Sequence, residues 1–183
     1  ATLETVLWVG SAYSLTYTVL LITAGRLGDI HGPRRLFLIG LAVFTLASLA
    51  SGLSQTPGQL IAFRAMQGVG AALLAPQGLP IITSILPPAK RGPAFAATGI
   101  MSGLGVLAGP TLGGLLVTQV GWRWIFFLNI PIGVAAFALA FAVMPDVRPG
   151  RLHRLDLVGV ALLTAGLLGV VFGLIEGERY YWG

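Results

Sequence analysis

Gly25-Arg26-Leu-Gly28-Asp29-Ile-His31-Gly32-Pro33-Arg34-Arg35 decides the fold, because it is charged punctuation between two long apolar runs. Residues 7–24 precede it and residues 36–53 follow it. Each run is close to the roughly 20 residues that an α-helix needs to cross a hydrocarbon core about 30 Å thick. Read as a charged loop over 25–35, the stretch joins two membrane helices. Gly32 permits a left-handed turn. Pro33 suits the first position of the next helix, where its missing N–H leaves no bond unmade. Asp29 can face the positive N-terminus of that helix, and Arg26 can pair with Asp29.

The same punctuation recurs along the chain. Apolar segments at 60–86, 94–120, 125–144 and 157–175 follow, separated by breaks at 51–59, 87–93, 121–124 and 145–156. The segments are too long for barrel strands and lack their alternation. Lipid-exposed backbone must satisfy its own hydrogen bonds, so helices are required. The expected fold is an all-α membrane protein with about six transmembrane helices. Composition agrees: of 183 residues, 56% are hydrophobic and 9% charged, and the mean hydropathy is +0.89. A soluble domain carries about 25% charged residues, so a soluble domain and a disordered chain are both excluded.

Charge sets the orientation. Alternate loops hold Arg26, Arg34, Arg35, Lys90, Arg91, Arg148, Arg151 and Arg154, whereas the opposite side holds Arg123 and Arg179. The richer set marks the cytoplasmic side. Trp8, Trp122, Trp124 and Trp182 then all fall at outer span ends, as an aromatic belt requires. The pI of about 10.5 therefore reports a membrane side, not a nucleic-acid partner. Asp156 is placed to cap the last span. The chain starts on the outer side directly before its first span, which is expected to follow an earlier one.

Several chemistries are not expected. The chain has no cysteine, hence no disulfide, thiol nucleophile or thiolate metal site. Lys90 is followed by Arg91, so a phosphate-binding G-x-x-x-x-G-K-[ST] loop cannot form. Gly103-Leu-Gly105-Val-Leu-Ala108 has dinucleotide-like spacing but sits inside an apolar helix with no strand before it. His31 and His153 lie in separate loops, without a carboxylate pair at ligand spacing. Neither an enzyme nor a cofactor is expected.

Four stretches carry a signal. In Arg64-Ala-Met-Gln67-Gly68-Val-Gly70, an arginine inside a span costs about 2.5–3.5 kcal/mol on insertion scales. Gln67 shares its face, and Gly68 with Gly70 admits a close neighbour. Arg64 either faces the bundle interior or snorkels to the interface. In Gly99-x3-Gly103-x-Gly105-x3-Gly109-Pro110-x2-Gly113-Gly114, glycines three and four apart bare one helix face, and Pro110 is expected to bend it. The third span holds Pro76, Gln77 and Pro80, which predicts a kinked helix lining a cavity. Tyr13 and Tyr17, one turn apart beside Ser14 and Thr18, form a stripe. Such a stripe can line a substrate path or hydrogen-bond a neighbouring helix.

Together these stretches resemble the major facilitator superfamily. Residues 25–35 look like its loop between spans two and three. Arg64, Gln67 and Gly68 match its span-four motif. Gly105, Gly109, Pro110, Gly113 and Gly114 resemble the span-five motif of antiporters. Trp122-Arg-Trp-Ile-Phe-Phe-Leu-Asn129-Ile-Pro131-Ile-Gly133 is similar to the start of span six in 14-span drug:proton antiporters. Ile30 and Pro33 depart from the family loop, which often has basic residues there.

The resemblance implies a partial bundle covering spans two to seven. Residues 1–144 would be most of the N-terminal bundle, with its first span missing. Residues 145–156 would be a cytoplasmic loop, and 157–183 a further span and outer loop. It implies a proton-coupled efflux transporter of the bacterial inner membrane that exports hydrophobic or cationic compounds by alternating access. Its partners would be substrate, protons, the lipid bilayer and the rest of the transporter chain. It also assigns roles. Gly25, Gly28, Asp29, Gly32, Arg34 and Arg35 would form a cytoplasmic gate. Arg64, Gln67 and Gly68 would relay or couple the proton. The span-five glycines with Pro110 would shape a moving interface, and Tyr13, Tyr17 and Gln77 are candidates for the substrate path. No carboxylate lies within a span, so the proton-carrying acid would belong to the missing span one. A metabolite or sugar exporter of the same superfamily and a non-transporting remnant stay open as alternatives.

Overall fold

The computed structural model describes residues 3–146 together with positions 159, 162, 165–170 and 173. Its elements are α1 (Leu3–His31), α2 (Pro33–Leu53), α3 (Pro57–Leu74), a short 3-10 turn (Ala75–Gln77), α4 (Gly78–Ile85), α5 (Pro88–Gln119), α6 (Arg123–Phe127) and α7 (Asn129–Val143). Among the described residues there is no strand. Among the same residues, five runs are long and apolar enough to cross a membrane: Thr5–His31, Pro33–Leu53, Pro57–Ile85, Pro88–Gln119 and Arg123–Val143. The sixth expected segment, 157–175, lies largely outside the described residues, although the positions described within it are helical. Asp156, Arg148, Arg151, Arg154, Arg179, His153 and Trp182 also lie outside them.

The charged stretch corrects the expectation of a loop over 25–35. Helix α1 continues through Gly25, Gly28 and Asp29 to His31, and the chain breaks at Gly32 alone, with φ 92° and ψ 136°. Helix hydrogen bonds are internal, so charges at a membrane edge do not end a helix. A backbone that must reverse direction does. At 29 residues, α1 is about 44 Å long, well beyond a core of about 30 Å. Pro33 opens α2 as expected, but no side chain caps that helix. Arg26 does pair with Asp29, at 3.4 Å across one helical turn, with both side chains half exposed.

Helix α3 starts at a capping box. The Thr56 hydroxyl accepts from the Gln59 backbone N–H at 3.3 Å, and Gln59 Oε1 accepts from the Thr56 N–H at 3.3 Å. The expected kink is a true interruption, since the 3-10 turn carrying Pro76 separates α3 from α4. Pro76 and Pro80 cannot donate to the carbonyl four residues back. Arg91 closes the other end of this span: its Nε donates to Leu86 O at 3.0 Å and its Nη2 to Thr83 O at 2.8 Å.

The core lies where α3 runs along both α1 and α2. Ala12, Val19 and Ala24 of α1, Leu36, Leu41 and Ala47 of α2, and Ala71 and Ala72 of α3 are buried there. Glycine makes the approach that close. A Cβ on Gly70 would stand 2.5 Å from Phe44 N and 2.8 Å from Gly40 O. One on Gly68 would stand 2.6 Å from Tyr13 O. Helices α6 and α7 pack on α2. By contrast, no residue of α5 is buried, and nothing lies within 4 Å of a Cβ on Gly105, Gly109, Gly113 or Gly114. Among the described residues, the close-packed glycine seam is therefore on α3. α5 stays one helix through Pro110 and meets its neighbours α4 and α6 near its ends.

Candidate functional site

The site grows from Arg64, the residue that lipid makes hardest to accommodate. Its Nε donates to Val9 O at 3.2 Å and its Nη1 to Gln67 Oε1 at 2.7 Å. The guanidinium stands 4.3 Å from the Tyr13 ring centroid and 6.0 Å from that of Phe126. Of the two orientations open to the side chain, the structure shows the inward one. Gly68 makes this arrangement reachable. Without a Cβ it lets the α1 backbone at Tyr13 press against α3, which brings Val9 O and the Tyr13 ring to the guanidinium. Tyr13 in turn stacks on Tyr17, with centroids 6.1 Å apart and planes 4° from parallel.

Gln67 extends the cluster inward. It is 1% exposed, and its Nε2 donates to Ser48 Oγ at 3.2 Å. Ser48, 0% exposed, donates to Phe126 O at 3.0 Å and accepts from Asn129 Nδ2 at 3.1 Å. A continuous polar chain thus runs from Arg64 through Gln67 and Ser48 to Asn129, linking α3, α2 and the α6–α7 junction. Sequence reading found Arg64 and Gln67 from their spacing and missed the other two. Ser48 is one serine in an apolar run, and Asn129 was quoted within a motif but given no role.

Every hydrogen-bonding partner of Arg64 in this cluster is neutral. The sequence contains no acid between Asp29 and Asp146. The cation is therefore held by two oxygen dipoles and a ring face, and its charge remains to act on whatever approaches. Cation–π attraction in a desolvated site is worth about 2 kcal/mol or more.

The remaining predicted residues separate into smaller groups. Gln77, also 1% exposed, donates through Nε2 to Ala24 O at 3.1 Å, and its amide lies against Gly28, where a Cβ would collide with it. Gly28 and Gln77, read from sequence as parts of different sites, thus form one contact that fastens the break in the third span to α1. Within this chain the Gln77 amide is committed to the protein interior. Arg34 reaches away from Asp29: its Nη2 donates to Phe141 O at 2.7 Å, and the guanidinium lies 5.5 Å from the Phe141 ring centroid. Arg35 is exposed. The charged stretch therefore divides, with Asp29 held by Arg26 on α1 and Arg34 fastened to the end of α7.

Toward the outer side lies a cavity of about 460 Å³, walled mainly by Val6, Val9, Leu60, Pro57 and Trp122. Arg123 stands at its edge, donating through Nη2 to Ser54 O at 2.9 Å and lying 4.6 Å from the Trp122 ring centroid. Val9 belongs to both places, since it lines the cavity and its carbonyl anchors Arg64.

Long apolar helices, basic loops on one side and a part-buried cation held between helices define a multi-pass α-helical protein of the cell membrane. The chain belongs to the Major Facilitator Superfamily, whose sequence profile it matches over residues 1–175. It is 51% identical over 97% of its length to an uncharacterized MFS-type transporter of Mycobacterium tuberculosis, covering 31% of that protein. It is 39% identical to a probable actinorhodin transporter of Streptomyces coelicolor, over 98% of this chain and 32% of the relative. It is also 39% identical to a tetracenomycin C resistance and export protein of Streptomyces glaucescens, over 100% of this chain and 34% of the relative. The chain thus spans about a third of the length of these curated relatives.

Proposed function

We propose that this chain is part of a proton-coupled exporter that expels small hydrophobic or cationic compounds by alternating access. Residues 1–144 supply most of one helical bundle, 145–156 a cytoplasmic loop and 157–183 the next span. The observation that carries the reading is Arg64, an inward-facing cation held by neutral groups on a glycine-sealed helix. A charge inside a span is expensive and is kept for function. Placed beside a carboxylate elsewhere in the complete protein, it lowers that acid's proton affinity. A small movement of α1 against α3 then changes when the proton is bound or released. The names of two relatives, which record transport of actinorhodin and export of tetracenomycin C, support the export direction.

The other roles follow from position. Gly25, Gly28, Asp29, Gly32, Arg34 and Arg35 form the cytoplasmic gate, where α1, α2 and α7 are fastened. Gly105, Gly109, Pro110, Gly113 and Gly114 on α5 give a bare face for a moving partner surface. Tyr13 and Tyr17 present a stacked aromatic pair to a hydrophobic or cationic compound, and Gln77 steadies the helix behind the path. Reconstitution of the complete protein in proteoliposomes tests the central role. With an imposed pH gradient, Arg64→Ala is expected to abolish proton-coupled efflux of the lipophilic cation tetraphenylphosphonium at unchanged protein level. Unchanged efflux in that variant refutes the role given to Arg64.

A further inference from the structure

We infer that Ser48 is a positioning residue for Arg64, acting through Gln67 and holding the α6–α7 junction in register with the part-buried cation. A serine hydroxyl has one hydrogen to donate and two lone pairs to accept with. At Ser48 all three are committed: the hydrogen to Phe126 O, the lone pairs to Gln67 Nε2 and Asn129 Nδ2. Because the hydrogen goes to a backbone carbonyl, Ser48 meets Gln67 as an acceptor only. The Gln67 amide must therefore turn its NH₂ toward Ser48 and its oxygen toward Arg64, where Nη1 is 2.7 Å away. Reversing the amide would set NH₂ against a guanidinium and Oε1 against a lone pair, so both contacts would be lost together. Ser48 thereby reinforces, from the other end of the amide, the orientation of Gln67 that the cation requires.

The carbonyl that sets this polarity is not incidental. Phe126 is the penultimate residue of α6, and Asn129 opens α7. Both partners on that side therefore sit at the joint between the two helices. A shift of the joint moves Phe126 O and Asn129 Nδ2 together, rotates the Ser48 hydroxyl and releases the Gln67 amide. Arg64 then keeps Val9 O and the Tyr13 ring but loses its closest acceptor. The structure in this way connects the α6–α7 joint, whose Phe126 ring itself stands 6.0 Å from the Arg64 guanidinium, to that cation through two side chains, each at most 1% exposed.

The inference rests on the coupling role proposed for Arg64, and the experiment separates the two. Proteoliposomes holding the complete protein are given a pH gradient, and tetraphenylphosphonium efflux and proton flux are measured together. Wild type, Arg64→Ala, Ser48→Ala, Gln67→Ala and the Ser48→Ala/Gln67→Ala pair are compared. Ser48→Ala and Gln67→Ala are each expected to lower substrate exported per proton by about tenfold, the factor that 1.4 kcal/mol represents, and the pair to lower it no further. A purely structural loss would reduce both fluxes in parallel and leave the ratio in place. Should Ser48→Ala fail to accumulate, Asn129→Ala removes one of the two donors to Ser48 and must lower the same ratio.

A wild-type ratio in Ser48→Ala, or a loss in the pair equal to the product of the single losses, overturns the positioning role. Arg64→Ala with full coupled efflux overturns instead the coupling role beneath it. Where wild type does not carry tetraphenylphosphonium, thermal unfolding of the same variants in detergent decides. Additive losses for Ser48→Ala and Arg64→Ala overturn the inference, and non-additive losses that disappear in the Gln67→Ala background support it.

Discussion

Gly70→Ala is the sharpest test of how packing supports the site. The added Cβ would stand 2.5 Å from Phe44 N and 2.8 Å from Gly40 O, whereas ordinary contacts of a Cβ begin near 3.4 Å. All the obstructing atoms are backbone, so no rotamer can yield, and α2 and α3 must part by about 1 Å, the shortfall that overpacking forces a backbone to absorb. Gln67 lies one turn before Gly70, and Ser48 one turn after Phe44, so the same separation stretches their 3.2 Å hydrogen bond. At about 4 Å that bond is gone.

Overpacking costs about 1–3 kcal/mol, and the lost bond about 1 kcal/mol. Alanine's better helix propensity returns up to about 1 kcal/mol. The net is a destabilisation of about 1–4 kcal/mol, expected as a drop of several degrees in the thermal unfolding midpoint in detergent. Gly58→Ala is the control, because nothing lies within 4 Å of a Cβ there, and it should unfold as the wild type does. Equal midpoints for Gly70→Ala, Gly58→Ala and wild type would refute the claim that these glycines set the distance between α2 and α3.

Two further outcomes follow from local geometry. Gly32→Ala forces an L side chain to φ 92°, at a cost of about 1–3 kcal/mol, and should raise protease cleavage at the α1–α2 turn in inside-out vesicles, whereas Gly28→Ala should instead disturb the Gln77 contact and leave the turn protected. Arg91→Ala frees the carbonyls of Thr83 and Leu86 at the end of α4, and amide exchange just after that helix should quicken while exchange in α2 stays unchanged.

The first five spans were legible because length and hydropathy are local properties, and lipid leaves the backbone few alternatives. The break at Pro76 was legible for the same reason, because two prolines state it within a few residues, whereas the capped start of α3 at Thr56 was missed: residues 51–59 read as one polar break. The end of α1 was misjudged, since Arg26 and Asp29 look like loop residues although a helix tolerates both at a membrane edge. Arg64 and Gln67 could be paired from their spacing of three. Ser48 could not, because its partners lie 19, 78 and 81 positions away and a lone serine leaves no periodic trace. The α5 glycines show the opposite case. Their spacing announces a close contact, yet no partner for it stands among the described residues.

The direction of the Arg64 side chain carries the whole account, and an experimental density map of the complete protein in a lipid nanodisc reads it directly. The account predicts guanidinium density against the Tyr13 ring and joined to Gln67, with Gln67 continuing to Ser48. Density leading from Arg64 to the outer headgroups, with Gln67 bonded elsewhere, would contradict it.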